Sequence, residues 1–249
     1  MLDAEEIERA RAWIADDPDP QTRAELAALI ERASDGVDAE AARADLADRF
    51  AGTLEFGTAG LRGEMGAGPR RMNRSVVIRA AAGLAQWLRQ SGGGAVVVGF
   101  DARRSSDVFA RDTCAVMEAA GVEAMVLPHP LPTPVLAFAI RYLGADAGVM
   151  VTASHNPPAD NGYKVYLGDG SQIAPPVDTE IAAHIDAVDS VAQVPRADDG
   201  WVTLDESLVE AYLDRAAAQV DAAGPRDLHV VYTPLHGVGR DLLLAAFER

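Results

Sequence analysis

In Val151–Lys164, VTASHNPPADNGYK, a hydroxyl, an imidazole, two carboxamides and an amine follow one short apolar run. The run Gly148–Thr152 reads as a buried strand. Ser154 then emerges in a loop at the carboxyl edge of a sheet, where α/β proteins place their sites. Ala153 is small and leaves room for a ligand. His155 and Asn156 carry donors for anionic oxygens, Pro157 and Pro158 stiffen the loop exit, and Gly162 gives a turn. Lys164 brings a cation back on the following strand. A nucleophilic hydroxyl, a hydrogen-bonding neighbour and a nearby amine suit phosphoryl chemistry, which asks mainly for positioning and charge neutralisation. They do not form a hydrolase triad, because consecutive side chains in extended backbone point apart. There is also no G-x-S-x-G elbow. On residue types alone, a phosphoryl site and a plain surface loop both stay open.

Other chemistry-bearing residues are scattered more widely. The glycines of Phe56–Gly63 (FGTAGLRG) fit a plain loop as well as a phosphate cradle. They match neither G-x-x-x-x-G-K-[ST] nor a dinucleotide fingerprint after a strand. The value of that block lies in Arg62. Asp101 and Arg103 follow the apolar run Ala95–Phe100, where an active-site edge and a structural ion pair are both open. His129, set between prolines, is expected to shape its loop, and His236 to be structural. Trp87, Trp201 and Cys114 are expected in the core. With Cys114 the single cysteine, an intrachain disulfide and a cysteine-rich metal site are excluded.

Behind these residues stands an alternation of strands and helices. Residues 3–50 carry apolar positions at helical spacing, such as Ile14, Leu26, Leu29 and Ile30, and predict two or three helices. They are broken at DDPDP and at Asp35-Gly36. A helix is expected over Ser75–Gln90, a buried strand over Ala95–Phe100 and a helix over Ser106–Ala120. Ala124–Leu127 predicts a strand, Thr133–Leu143 a helix, Gly148–Thr152 a strand, and Tyr163–Tyr166 an edge or antiparallel strand. This order predicts an α/β fold, a mixed sheet sandwiched by helices. A looser stretch spans Ala174–Asp205. A helix over Leu208–Ala223, a strand over Leu228–Tyr232 and a last loop and helix begin a second α/β unit. One strand and one helix cannot bury a core of their own. The expected divisions are 1–50, 51–205 and 206–249.

Composition limits the partners. The 249 residues are 49% hydrophobic and carry a formal charge of −16, which argues against nucleic acid or an anionic membrane as partner. The amino-terminal segment MLDAEEIERA lacks the basic-then-apolar order of a signal peptide. No apolar run is long enough to span a bilayer. The chain reads as cytoplasmic.

TASHNP followed by DNGYK resembles the phosphoserine loop of the α-D-phosphohexomutases, the family of phosphoglucomutase and phosphomannomutase. FGTAGLRG resembles the family's amino-terminal signature and Gly99–Arg103 (GFDAR) a third motif, in family order. VYTPLHGVG resembles the start of the family's second domain. The leading helices lean toward the phosphoglucomutase/phosphopentomutase-like branch. The resemblance implies that Ser154 holds a phosphoryl group and exchanges it with a sugar phosphate, through a bisphosphate that also serves as activator. It implies Mg²⁺ bound through the Ser154 phosphate, Lys164 as general acid/base helped by Arg62, and His155 as a further catalytic residue. Asn156, Asn161 and Arg103 would bind substrate or phosphate. The expected reaction interconverts sugar 1-phosphate and 6-phosphate. A phosphopentomutase of the same branch and a truncated, non-catalytic binding module are the alternatives. The family's aspartate-rich metal loop and its two substrate loops do not occur in this sequence, so the 249 residues are expected to be inactive alone. Nothing in the sequence sets the oligomeric state.

Overall fold

The computed structural model describes residues 4–35, 37–58, 60–221, 223–225 and 227–249. Gly36 of the expected turn, Ala59 of FGTAGLRG and residues 1–3 lie outside them.

Three helices open the chain: α1 (Ala4–Asp16), α2 (Pro20–Asp35) and α3 (Ala39–Phe50). Their apolar faces close a small core of their own around Leu26, Leu29, Leu46 and Phe50. Asp16 and Asp17, at the end of α1, tie this unit to the rest. Asp16 accepts from Ser190 Oγ and from the N–H groups of Val191 and Ala192. Asp17 accepts from Ser75 Oγ at 2.8 Å.

The central element is a six-stranded sheet of order β1-β5-β4-β2-β3-β6. Its strands are β1 (Leu61–Glu64), β2 (Ala95–Phe100), β3 (Glu123–Val126), β4 (Ala147–Val151), β5 (Asp160–Leu167) and β6 (Val202–Thr203). The pairs β4–β2, β2–β3 and β3–β6 are parallel, while β5 runs antiparallel to both β4 and β1. Alternate side chains of the apolar strands serve opposite faces. Val96, Val98, Val149 and Val151 meet α4 (Arg74–Gln90), α5 (Ser106–Ala119) and α7 (Val177–Asp186). Val97 and Met150 meet α6 (Thr133–Leu143) and α8 (Glu206–Ala217). A fully buried Val, Leu or Ile contributes about 1.5–3 kcal/mol over an exposed one. These two apolar layers therefore outweigh the surface ion pairs, which contribute about 0–1 kcal/mol each.

The chain leaves β2 through α5 to β3 on one side, then crosses back through α6 to β4 on the other. The connections diverge between β2 and β4, which opens a crevice at their carboxyl ends. Asp101 and Thr152 stand there, and Asp101 N donates to Val151 O at 3.1 Å.

Several expectations need correction. Tyr163–Tyr166 is antiparallel but no edge strand: it is the middle of the longer β5, flanked on both sides. The glycine block before it supplies β1, an edge strand with too little apolar alternation to be read from sequence. The loose stretch Ala174–Asp205 contains α7, whose Ile181 and Ile185 are buried against the sheet layer. The helix expected over Leu208–Ala223 ends at Ala217. Leu228–Tyr232 forms no strand and is exposed. Among the described residues no strand lies beside it to take its hydrogen bonds. The final helix α9 (Arg240–Phe247) buries no side chain.

Candidate active site at the Ser154 loop

The loop leaving β4 is built around an unusual backbone. Ser154 sits at φ 55°, in the left-handed region, which costs a non-glycine residue roughly 1–2 kcal/mol. Fixed hydrogen bonds hold it there. Ser154 N–H donates to Thr152 Oγ1 at 2.9 Å, and Thr152 Oγ1 donates to Asp101 Oδ2 at 2.6 Å. The other Asp101 oxygen accepts from Ser106 Oγ at 2.8 Å and Arg103 N at 3.0 Å. Thr152 and Ala153 are buried, whereas Ser154 and His155 are exposed. The loop therefore presents its hydroxyl to solvent from a buried base.

Two cations lie against it. Arg62, on β1, faces Gly162 of β5 in register, and its Nη1 donates to Asn156 Oδ1 at 3.2 Å. Asn156 Nδ2 in turn donates to Asp160 Oδ2 at 2.8 Å. Lys164, half-buried on β5, pairs with Met150 of β4. Burial and the positive charge of Arg62 push the Lys164 ammonium below the ordinary lysine range, against an opposing pull from Asp101. Arg62 thus touches the loop through Asn156, and Lys164 lies within electrostatic reach of Arg62 and Asp101. A cavity of about 490 Å³ near Arg89 and Val194 and one of about 90 Å³ beside Trp13 both lie elsewhere.

Glycine shape matters at two points here. Gly57 and Gly60 exchange backbone hydrogen bonds, closing a tight turn ahead of β1. Gly60 has φ +71°, and a Cβ there would stand 1.9 Å from Tyr163 O and 3.0 Å from Lys164 Cα. The turn therefore rests directly on the lysine-bearing strand. Gly162 has no room for a side chain either, since a Cβ on it would lie 2.7 Å from Thr152 O and 2.9 Å from Leu61 O.

The structure separates the expected ligand-binding residues. Asn161, expected at a substrate phosphate, is wholly buried. Its Nδ2 donates to Arg104 O and Ser106 Oγ, both at 3.0 Å, and its Oδ1 accepts from Gly162 N. No face of it is left for a ligand. Arg103, expected on phosphate as well, points back into the loop. Its Nη1 donates to Pro157 O and Asp160 O, its Nη2 to Ser154 O and Asn156 O, all at 2.8–2.9 Å. Its Nε lies 3.5 Å from Asp101 Oδ2. Its four terminal N–H hydrogens are thus all given to protein carbonyls. His155 faces solvent. Asp101 and Thr152, which organise the loop, are not legible as a pair in the sequence, because only the fold brings them together. Cys114 is buried, its thiol pushed up to about 12 by burial, which leaves it no nucleophilic form near neutrality.

One compositional signal does point at the site. Among the chain's 22 basic residues, Lys164 is the only lysine. Arginine serves wherever a fixed charge suffices, but its pKa above about 12 bars it from giving up a proton. The single amine stands where a removable proton is useful.

For a metal, the described residues contain no group of three or more His, Cys, Asp or Glu side chains placed to hold one. Both Asp101 oxygens are already hydrogen-bonded. Mg²⁺ prefers several oxygen donors, and among the described residues no cluster of carboxylates stands beside Ser154 to supply them, so these residues do not by themselves fit a complete Mg²⁺ site.

An exposed, left-handed serine at the switch edge of a mixed sheet, in a loop that Arg62 reaches through Asn156, marks an α/β domain with a polar loop at its carboxyl edge. Residues 53–192 match the family described as phosphoglucomutase/phosphomannomutase, alpha/beta/alpha domain I. The chain belongs to this family and contains its first domain. A Haemophilus influenzae protein named "Probable phosphomannomutase" is 50% identical over 178 residues, 69% of this chain and 36% of that protein. The phosphoribomutase of Saccharomyces cerevisiae is 38% identical over 92% of this chain and 39% of its own length. Among solved structures, a Burkholderia thailandensis phosphoglucomutase/phosphomannomutase family protein superposes with TM-score 0.54 at 26% identity, covering 66% of this chain and 35% of that one. The chain thus spans well under half the length of these relatives.

Proposed function

We propose that Ser154 carries a transferable phosphoryl group and that the chain serves as the nucleophile domain of a phosphosugar mutase. The observation that carries this reading is the exposed, left-handed Ser154, held by Thr152 and Asp101 beside a lysine of lowered basicity. The hydroxyl oxygen of a sugar monophosphate attacks the phosphorus as the P–Oγ bond breaks. Neutral Lys164 takes the hydroxyl proton, and Ser154 Oγ leaves with the bonding electrons and takes a proton from water. The product is a sugar bisphosphate. In the return half, Ser154 Oγ attacks the other phosphorus and gives up its proton to water as the bond from that phosphorus to the sugar oxygen breaks, and the Lys164 ammonium gives its proton to the departing sugar oxygen. Splitting one migration into two in-line transfers is the gain from covalent catalysis. Arg62 balances charge on the transferring group, the exposed His155 steadies the phosphoserine, and the half-buried Asn156 supports it while holding Arg62 and Asp160.

Mg²⁺ bound to the phosphoserine would add charge neutralisation, with its remaining oxygen donors supplied from beyond the described residues. A sugar bisphosphate would prime Ser154. The same reading divides the chain into 1–50, 51–205 and 206–249; the separate helical core supports the first division, whereas α8 packs on the sheet layer through Leu208, Val209 and Leu213 and goes with the central unit. It places the protein in the cytoplasm; no described helix is long and apolar enough to cross a membrane.

A pentose rather than a hexose substrate is the second reading. It is favoured by coverage: the yeast phosphoribomutase and the mouse phosphopentomutase align with 92% and 99% of this chain, including the leading helices. The experiment is single-turnover transfer from the phosphorylated protein, purified from its own cells, to glucose 1-phosphate, mannose 1-phosphate or ribose 1-phosphate. Bisphosphate formed from one of them supports the mutase reading and identifies the sugar. Phosphoprotein stable to all three, with Mg²⁺ present, would leave only a binding module.

A further inference from the structure

We propose that Arg103 is a positioning residue for phosphoryl transfer, a carbonyl clamp that fixes the direction of the Ser154 hydroxyl from a neighbouring strand end. The inference rests on the phosphoserine reading and adds a residue that has no need to touch substrate. Four carbonyls of the loop and the following strand start, those of Ser154, Asn156, Pro157 and Asp160, converge on its two terminal nitrogens. Ser154 is thereby held on both sides: its N–H through Thr152 to Asp101, and its carbonyl directly by Arg103. Both anchors belong to the end of β2, so the serine on β4 takes its orientation from the adjacent strand. Released from either anchor, a serine at φ 55° has an unstrained conformation to fall into, and its oxygen would turn with it.

The guanidinium shape is essential to this role. A lysine ammonium is a point with three donors and cannot span four carbonyls in a plane. At 16% side-chain exposure, and with Asp101 at 3.5 Å, Arg103 is covered by the loop it holds. That position separates it from Arg62, which is exposed and able to reach a ligand.

The test uses the protein purified from its own cells, as wild type and with Arg103→Lys or Arg103→Ala. The readouts are single-turnover transfer from phospho-Ser154 to a sugar 1-phosphate, KM for that sugar, and thermal unfolding. Arg103→Lys should slow transfer about 100-fold, the scale of a small misplacement of reacting atoms. KM and the unfolding temperature should stay near wild type, and added guanidinium ion should restore part of the transfer in Arg103→Ala. Transfer by Arg103→Lys at the wild-type rate overturns the clamp, as does a loss in Arg103→Lys that merely tracks unfolding. If Arg103→Ala fails to fold, Arg103→Lys alone decides. Absence of transferable phosphate on wild-type Ser154 is a different failure: it removes the mutase reading and the clamp with it.

Discussion

Lys164 is the residue whose chemistry can be followed without background, since no other lysine exists in the chain. Its ammonium titrates below the ordinary lysine value of about 10.4, because burial and Arg62 disfavour the charged form. The neutral amine needed to take a sugar proton therefore appears at lower pH than on a free lysine. With ¹³C-labelled lysine, one Cε signal should report this titration. Arg62→Gln removes a repelling charge and should move the midpoint up. Asp101→Asn removes an attracting charge and should move it down. Equal midpoints in all three proteins would mean that the three groups are not electrostatically coupled. At this scale the sequence singles out Ser154, Lys164 and Arg62 by type and motif, and the fold puts Ser154 on an exposed loop, Lys164 on β5 and Arg62 on β1. Asn161 and Arg103 are not, because a polar side chain near a motif looks the same whether it faces a ligand or saturates its own loop.

The elements show why boundaries differ in legibility. Ala95–Phe100 and Thr133–Leu143 are readable to the residue, since one is a pure apolar run and the other has helical spacing between a Pro-Thr-Pro entry and a glycine stop. β1 is not, because its pairing depends on β5 and its sequence, LRGE, holds one buried residue. The helix α7 is hidden behind Pro175-Pro176 and acidic residues, and its burial shows only when Ile181 and Ile185 meet α4. The turn before β1 makes a sharp prediction. Gly60→Ala adds a Cβ 1.9 Å from Tyr163 O at a positive φ. It should destabilise the fold by more than about 1 kcal/mol in denaturant titration. The turn, and Arg62 with it, should also lift away from Lys164. An unchanged midpoint would show that the turn does not rest on β5 as described.

For the whole molecule, the relevant fact is proportion. The chain covers 36–42% of the length of the phosphomannomutase, phosphoribomutase and phosphopentomutase relatives named above. Among its described residues no group of three or more His, Cys, Asp or Glu side chains is placed to hold a metal. A polypeptide limited to these 249 residues, assayed by itself rather than as the protein purified from its own cells, should accordingly show no mutase turnover with a sugar 1-phosphate, Mg²⁺ and a bisphosphate primer in a coupled assay. Sustained turnover would mean that these residues alone bind metal and substrate. The same protein should fold and unfold cooperatively, since two apolar layers cover the sheet. The fold class is legible because strand–helix alternation is a global pattern. The expected second α/β unit is not formed among the described residues, where Leu228–Tyr232 has strand-like sequence but is exposed and makes no strand.

The most direct measurement is phosphopeptide mapping of the protein purified from its own cells, before and after exposure to a sugar monophosphate. Phosphate should be found on Ser154 of the peptide containing TASHNP, should be lost on exposure as bisphosphate appears, and should be missing from Ser154→Ala. Phosphate confined to some other residue, or a Ser154→Ala protein that still passes phosphate to sugar, would contradict the account.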